Sequence, residues 1–265
     1  MRRTRIAAYV ASLLFAATAV LTGAATAQAA GTGYVALGDS YSSGVGAGSY
    51  DSASGSCKRS TKAYPALWAA SHAPASFNFV ACSGAVTGDV LNNQLGPLNS
   101  STGLVSISIG GNDAGFADVM TTCVLYSEST CVDRVNQARA YVTSTLPAKL
   151  DSVYRAIKAK APSARVVVLG YPRFYQLGGS CIAGLSETER SAINGAADLL
   201  DTTIAGRVSA AGLTFGDVRT TFTGHEICSG SSWLHSVNWT NIGESYHPTA
   251  TGQSSGYLPV FASKA

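Results

Sequence analysis

The chain has 265 residues, of which 46% are hydrophobic and only 12% charged, enough apolar material for a packed core and too little charge for a disordered chain. Its formal net charge of +3 is carried by the first few residues, where Arg2, Arg3 and Arg5 stand with no acid before Gly31. The remainder is near neutral, which excludes the electrostatic footprint of a nucleic-acid binder or a polybasic membrane contact.

From the beginning of the chain, those arginines precede an apolar run over residues 6–21, and Ala27-Gln28-Ala29 then fits a small-x-small cleavage site. Residues 1–29 are therefore expected to be a signal peptide cut before Ala30, and residues 30–265 one domain; an uncleaved anchor is the competing reading. No later stretch is apolar for long enough to span a bilayer. All six cysteines follow the expected cut. An even number in an exported chain implies disulfides, and among the many connectivities possible, pairing in chain order is expected: Cys57 with Cys82, Cys123 with Cys131, Cys181 with Cys228. There is no CxxC and no Cys/His spacing of the zinc type, so neither a metal nor another cofactor is expected.

Short apolar runs then alternate with longer helix-like stretches, the pattern of an α/β protein with a parallel sheet. Strands are predicted at residues 34–37, 77–81, 104–109 and 165–169, with a weaker one at 213–215. Residues 132–159 repeat with a period near 3.6 and form one helix or two, Pro147 marking a break or a new first turn. Ser186 and Glu189 make a capping-box start for a helix that reaches about Ala210, since Ile193, Ala196, Leu200 and Ile204 share one face. A last helix follows Pro248. Residues 217–246 lack a period but contain Phe222, Trp233, Leu234 and Trp239, and so long a loop in a compact domain is expected to be functional.

The chemistry lies at the strand ends. Gly38-Asp39-Ser40 offers a hydroxyl, Ser83-Gly84 an unobstructed backbone N–H, and Gly111-Asn112 a carboxamide, together the makings of a nucleophile and an oxyanion hole. His247, just before Pro248, is placed to act as general base. Asp39 adjoins the serine and reads as a loop organiser through local hydrogen bonds. His72, His225 and His235 read as surface or structural, the last two as possible neighbours of a substrate. The glycines between Gly44 and Gly48 lack the spacing of a nucleotide loop. The candidate nucleophile lies at the end of the first predicted strand, ahead of every other block, which argues against the α/β-hydrolase plan.

Gly38-Asp39-Ser40-Tyr41, Gly84, Gly110-Gly111-Asn112-Asp113 and His247-Pro248 resemble, in order, the four sequence blocks of the SGNH or GDSL-type hydrolases. Within that family the resemblance is nearest to small secreted actinomycete lipases and phospholipases A1. It implies a flavodoxin-like three-layer α/β/α sandwich, with Ser40 as nucleophile and His247 as base. The oxyanion hole would be Ser40 N–H, Gly84 N–H and the Asn112 side chain. Many members carry an aspartate three residues before the histidine, where this chain has Glu244. Either Glu244 orients His247, or a main-chain carbonyl does so in a dyad, as in some secreted actinomycete relatives; Ser245 is the expected carbonyl.

The expected function is thus a secreted, extracellular carboxylic ester hydrolase acting on lipids, monomeric, with its substrate drawn from a lipid–water interface and without nucleic acid or a stable membrane anchor as partner. A carbohydrate acetyl esterase of the same fold and a catalytically inactive secreted binding protein are the alternatives. Residues 174–177 and 233–239 are expected to be either acyl-chain walls or core.

Overall fold

The computed structural model describes residues 32–178, 181 and 184–265. The expected leader, residues 1–29, lies outside the described residues. In chain order these form β1 (Gly33–Ala36), α1 (Ser40–Ser43), α2 (Tyr64–His72), β2 (Ser76–Phe79), α3 (Thr87–Asp89), β3 (Thr102–Ile107), α4 (Phe116–Leu125), α5 (Glu128–Ser144), α6 (Leu146–Lys160), β4 (Arg165–Leu169), α7 (Glu187–Ala210), β5 (Thr214–Gly216), α8 (Arg219–Phe222) and α9 (Leu258–Ala262). Among the described residues no helix is long and apolar enough to cross a membrane.

The strands form one parallel sheet in the order β2-β1-β3-β4-β5. This is the flavodoxin-like arrangement, in which the chain moves from β1 to β2 on one side and returns to β3 on the other, leaving a crevice at the carboxyl ends of β1 and β3. Central strands sandwiched between helices must be apolar on both faces. Val166, Val167, Val168 and Leu169 of β4 are accordingly all buried, whereas edge strand β2 buries none of its four residues fully. On one face Tyr34 stacks on Phe77 and on Phe261 of α9 and meets the edge of Trp68 in α2. Helices α5, α6 and α7 pack on one another in the other layer.

Each of the first three strands leaves its ladder one or two residues before the apolar run ends. Leu37, Ala81 and Ile109 remain fully buried beyond the regular ladder, and Leu37 N–H still donates to Ser106 O and Ala81 N–H to Ala36 O, so burial and inter-strand hydrogen bonding both run on past the strand ends. Pro147 lies in the first turn of α6, where its missing N–H costs nothing, and the 132–159 stretch is two helices. Ser186 caps α7 reciprocally with Glu189, and the helix ends at Ala210. The last helix is interrupted by a π-helical turn, Gly252–Tyr257. Disulfides join Cys57 to Cys82, Cys123 to Cys131 and Cys181 to Cys228.

Candidate active site

Ser40 stands at the first position of α1, two residues after the strand-end glycine. Gly38 has φ +120°, and a Cβ there would lie 2.5 Å from the Ser108 carbonyl oxygen, so only glycine lets β1 approach β3 this closely. Its N–H donates to Gln94 Oε1 at 2.7 Å, and its carbonyl accepts from Gln94 Nε2 at 2.9 Å. Asp39 then caps α1: Oδ1 accepts from Tyr41 N–H at 3.0 Å and from Ser108 Oγ at 2.7 Å, and Oδ2 accepts from Tyr171 O–H at 2.5 Å. Its side chain points away from His247 into the interior. Burial pushes this carboxyl up to about 6, against the pull of those hydrogen bonds. Tyr171 Oη also accepts the Gly111 N–H at 3.2 Å, so one phenol ties the Ser40 loop to the Asn112 loop.

The other two strand ends are hooked together. Asn112 Nδ2 donates one hydrogen to Ala85 O at 3.0 Å, and Asp113 accepts from Thr87 N–H and Thr87 Oγ1 at 2.9 and 2.6 Å. Gly84 is exposed with φ +79°, and the Cys57–Cys82 bridge anchors the turn two residues before it. The Ser40 and Gly84 N–H groups have no hydrogen-bond acceptor among the described residues, and Asn112 Nδ2 keeps a second hydrogen unused.

His247 reaches the same point from the far end of the chain. Its Nε2 lies 2.8 Å from Ser40 Oγ, and its Nδ1 lies 3.0 Å from the Ser245 carbonyl oxygen. A carbonyl only accepts, so Nδ1 carries the proton and Nε2 offers a lone pair to the serine hydroxyl. The Glu244 carboxylate is engaged elsewhere, accepting from Tyr50 O–H at 2.7 Å. Desolvation pushes the imidazole down to about 4, against the favourable backbone carbonyls of Ser245 and Glu244. The loop is held by reciprocal bonds between backbone: His235 N–H to His247 O, Tyr246 N–H to His235 O and Thr249 N–H to Trp233 O. Tyr246 sits at φ +67°, and its carbonyl accepts from Tyr41 O–H at 2.7 Å, which fixes the turn that aims His247.

Two recesses meet at Ser40 and Asn112, separated by Phe116 and Met120 of α4. The inner one is narrow and apolar, running beneath α4, α5 and α7 past Val119, Val142, Phe174, Ile193 and Leu200. The outer one is a surface cleft of about 430 Å³ between α4 and the 237–247 loop, containing Gly84 and His247. The structure thus brings Ser40, Gly84, Asn112, Ser245 and His247 together. Of the expected acyl walls, Phe174 lines the inner recess and Val237 and Trp239 the outer one, while Trp233 packs on Phe222 and His225 instead. His72 stacks on Trp68, and His235 bonds Gly46 O; with His225 they lie outside both recesses. Gln94, Tyr171 and α4 escape a sequence reading. Gln94 and Tyr171 serve the site from positions distant in the chain, and α4 is short, with apolar residues on its exposed as well as its buried side.

A serine hydroxyl bonded to a carbonyl-oriented imidazole, at the switch point of a flavodoxin-like sheet, defines a hydrolase of the serine type built on the SGNH plan. The chain belongs to the GDSL-like lipase/acylhydrolase family, whose model matches residues 36–254. It is 72% identical to Lipase 1 of Streptomyces coelicolor over 98% of each chain. The crystal structure of phospholipase A1 from Streptomyces albidoflavus superposes with a TM-score of 0.88 at 72% identity, covering 89% of this chain and all of that one. That of the extracellular lipase from Streptomyces rimosus gives 0.86 at 68%, covering 88% of this chain and all of that one.

Proposed function

We propose that this protein is a secreted hydrolase of lipid carboxylic esters that works through a Ser40–His247 dyad. His247 Nε2 takes the Ser40 proton as Oγ attacks the ester carbonyl carbon. The oxyanion collects hydrogen bonds from Ser40 N–H, Gly84 N–H and the free Asn112 N–H; each donor of this kind is worth about 3 kcal/mol in the transition state. The imidazolium returns its proton to the leaving alcohol. His247 then activates water, which cleaves the acyl-enzyme and frees the fatty acid and Ser40. The Ser245 carbonyl fills the third place of a triad by fixing the tautomer. The inner recess takes the acyl chain, and the outer cleft takes the rest of the substrate.

The observation that carries this reading is the 2.8 Å Nε2–Oγ contact at the meeting point of two apolar recesses. Secretion is supported by the basic-apolar start of the chain, the three disulfides and the extracellular relative. The test is turnover of phosphatidylcholine, triolein, short nitrophenyl esters and acetylated xylan by the parent and two variants. Ser40→Ala abolishes lipid ester hydrolysis, whereas Glu244→Gln stays within about tenfold of the parent, the cost of a neutralised hydrogen bond to Tyr50. Loss of several orders of magnitude in Glu244→Gln would establish a Ser-His-Glu triad, and activity confined to acetylated xylan would sink the lipid assignment.

A further inference from the structure

The mouth of the outer cleft is built the wrong way round for a protein partner. Its floor holds the polar atoms of Ser40, Asn112 and His247, while the large exposed side chains of its lining are apolar, and the exposed Thr121 turns its hydroxyl back to Ala117 O. Leu125 is 60% exposed, Ile242 62% and Trp239 72%, and Tyr126, beside Leu125, is 65% exposed. A protein–protein interface has the opposite plan, an apolar centre inside a polar rim. No Asp, Glu, Lys or Arg is among the residues lining this cleft, and Lys58 approaches Gly243 from outside that lining.

We infer that Leu125, Tyr126, Trp239 and Ile242 form a docking rim that sits in the surface of a phospholipid layer and opens the cleft directly onto it. The inference rests on the ester-hydrolase reading, because what makes the patch useful is its continuity with the floor that holds Ser40. Two rigid features present the rim. Leu125 and Tyr126 lie within the eight-residue span closed by Cys123–Cys131, at the end of α4. Trp239 and Ile242 project from a turn in which Asn238 Oδ1 accepts from the N–H groups of Thr240 and Asn241, and in which Asn238 N–H donates to Ser245 Oγ. The same turn therefore connects the rim to the residue whose carbonyl orients His247. Apolar side chains held open to water at both lips cost free energy that is recovered when acyl tails cover them. Trp and Tyr suit the boundary between tail and headgroup, having apolar rings with one polar atom each.

The experiment uses the full chain with Ser40→Ala, so that vesicles survive, and phosphatidylcholine vesicles as the probe. Trp68 and Trp233 are packed against the core, leaving Trp239 as the tryptophan that changes environment. The expected result is co-sedimentation with a blue shift of tryptophan emission, unaffected by raising the salt from about 0.05 to 0.5 M, because the rim is uncharged. Adding Trp239→Ala lowers the partition coefficient about tenfold, and adding Ile242→Ser as well lowers it further, with unchanged melting temperatures. In the active parent, the same substitutions reduce turnover of vesicle lipid at least about tenfold more than turnover of a soluble short ester. Equal partitioning of parent and variants, binding that vanishes with salt, or a blue shift that appears without vesicles on self-association would overturn the inference. Soluble-ester turnover without vesicle binding overturns this inference alone, and vesicle binding without any ester turnover overturns only the enzymatic reading.

Discussion

Asp39 and His247 flank Ser40, one in sequence and one in space, and burial drives their protonation in opposite directions. Asp39 rises from 3.8 to about 6, and His247 falls from 6.5 to about 4. Asp39 therefore holds a proton in the folded state that the unfolded chain has lost, and the stability this gives is present at low pH and fades as pH rises through 6. His247 stays neutral where the unfolded chain is charged, so its stability is present above pH 6.5 and is lost as pH falls towards 4. The two slopes oppose each other across the same window, and melting temperature should be nearly level between pH 4 and 6 as far as this pair is concerned. Asp39→Asn keeps the shape and the cap but removes one slope. Its melting temperature should drop relative to the parent's as pH is lowered from 6 to 4; a constant difference across that range would refute the opposition. A neutral base down to about 4 also places the acid limb of kcat/KM for a soluble ester near that value, well below the ordinary histidine range, and a pH–rate profile reads it directly.

At the level of elements, the site depends on how closely strand ends approach. Gly38 is the clearest case, since a methyl group would meet the Ser108 backbone at 2.5 Å on an already left-handed φ. Gly38→Ala should cost on the order of 3 kcal/mol, through strain and the lost Gln94 clamp, as read by chemical denaturation. Loss below about 1 kcal/mol would show that β1 and β3 can separate without harm. Strands were readable because four short runs of β-branched and apolar residues end in glycine or small polar residues. Helices α6 and α7 were readable from proline and the Ser186–Glu189 box. Helices α2 and α4 were not. The Pro65 in the first turn of α2 was an available signal, but the apolar content of α2 is spread around the helix; α4 buries one short stripe, Val119, Met120 and Cys123, and carries apolar Leu125 on its exposed side, which blurs its period.

At the scale of the whole molecule, the four corners of the site come from positions 40, 84, 112 and 247, and cross-links hold the distant parts. Cys57–Cys82 ties the long loop after α1 to the turn that carries Gly84. Replacing both cysteines by serine should lower stability by about 3 kcal/mol, by loosening constraint on the unfolded chain. It should also reduce kcat more than KM, because the Gly84 N–H loses its anchor while both recesses keep their walls; a change in KM alone would place the bridge outside the chemistry.

The sequence by itself determined the alternation of strand and helix and the family pattern, and it nominated Ser40, Gly84, Asn112 and His247 as the candidate site, because each is a local feature marked by glycine, proline or a strand end. It left open whether Glu244 or Ser245 faces His247, which apolar segments line a cavity, and which exposed ones rim its mouth. Those are questions of direction. Neighbouring residues 244 and 245 are equivalent in spacing, and only the folded loop turns the Glu244 carboxylate to Tyr50 and the Ser245 carbonyl to Nδ1. Trp233 and Trp239 are likewise equivalent in composition; packing sends one against Phe222 and leaves the other in water beside the cleft.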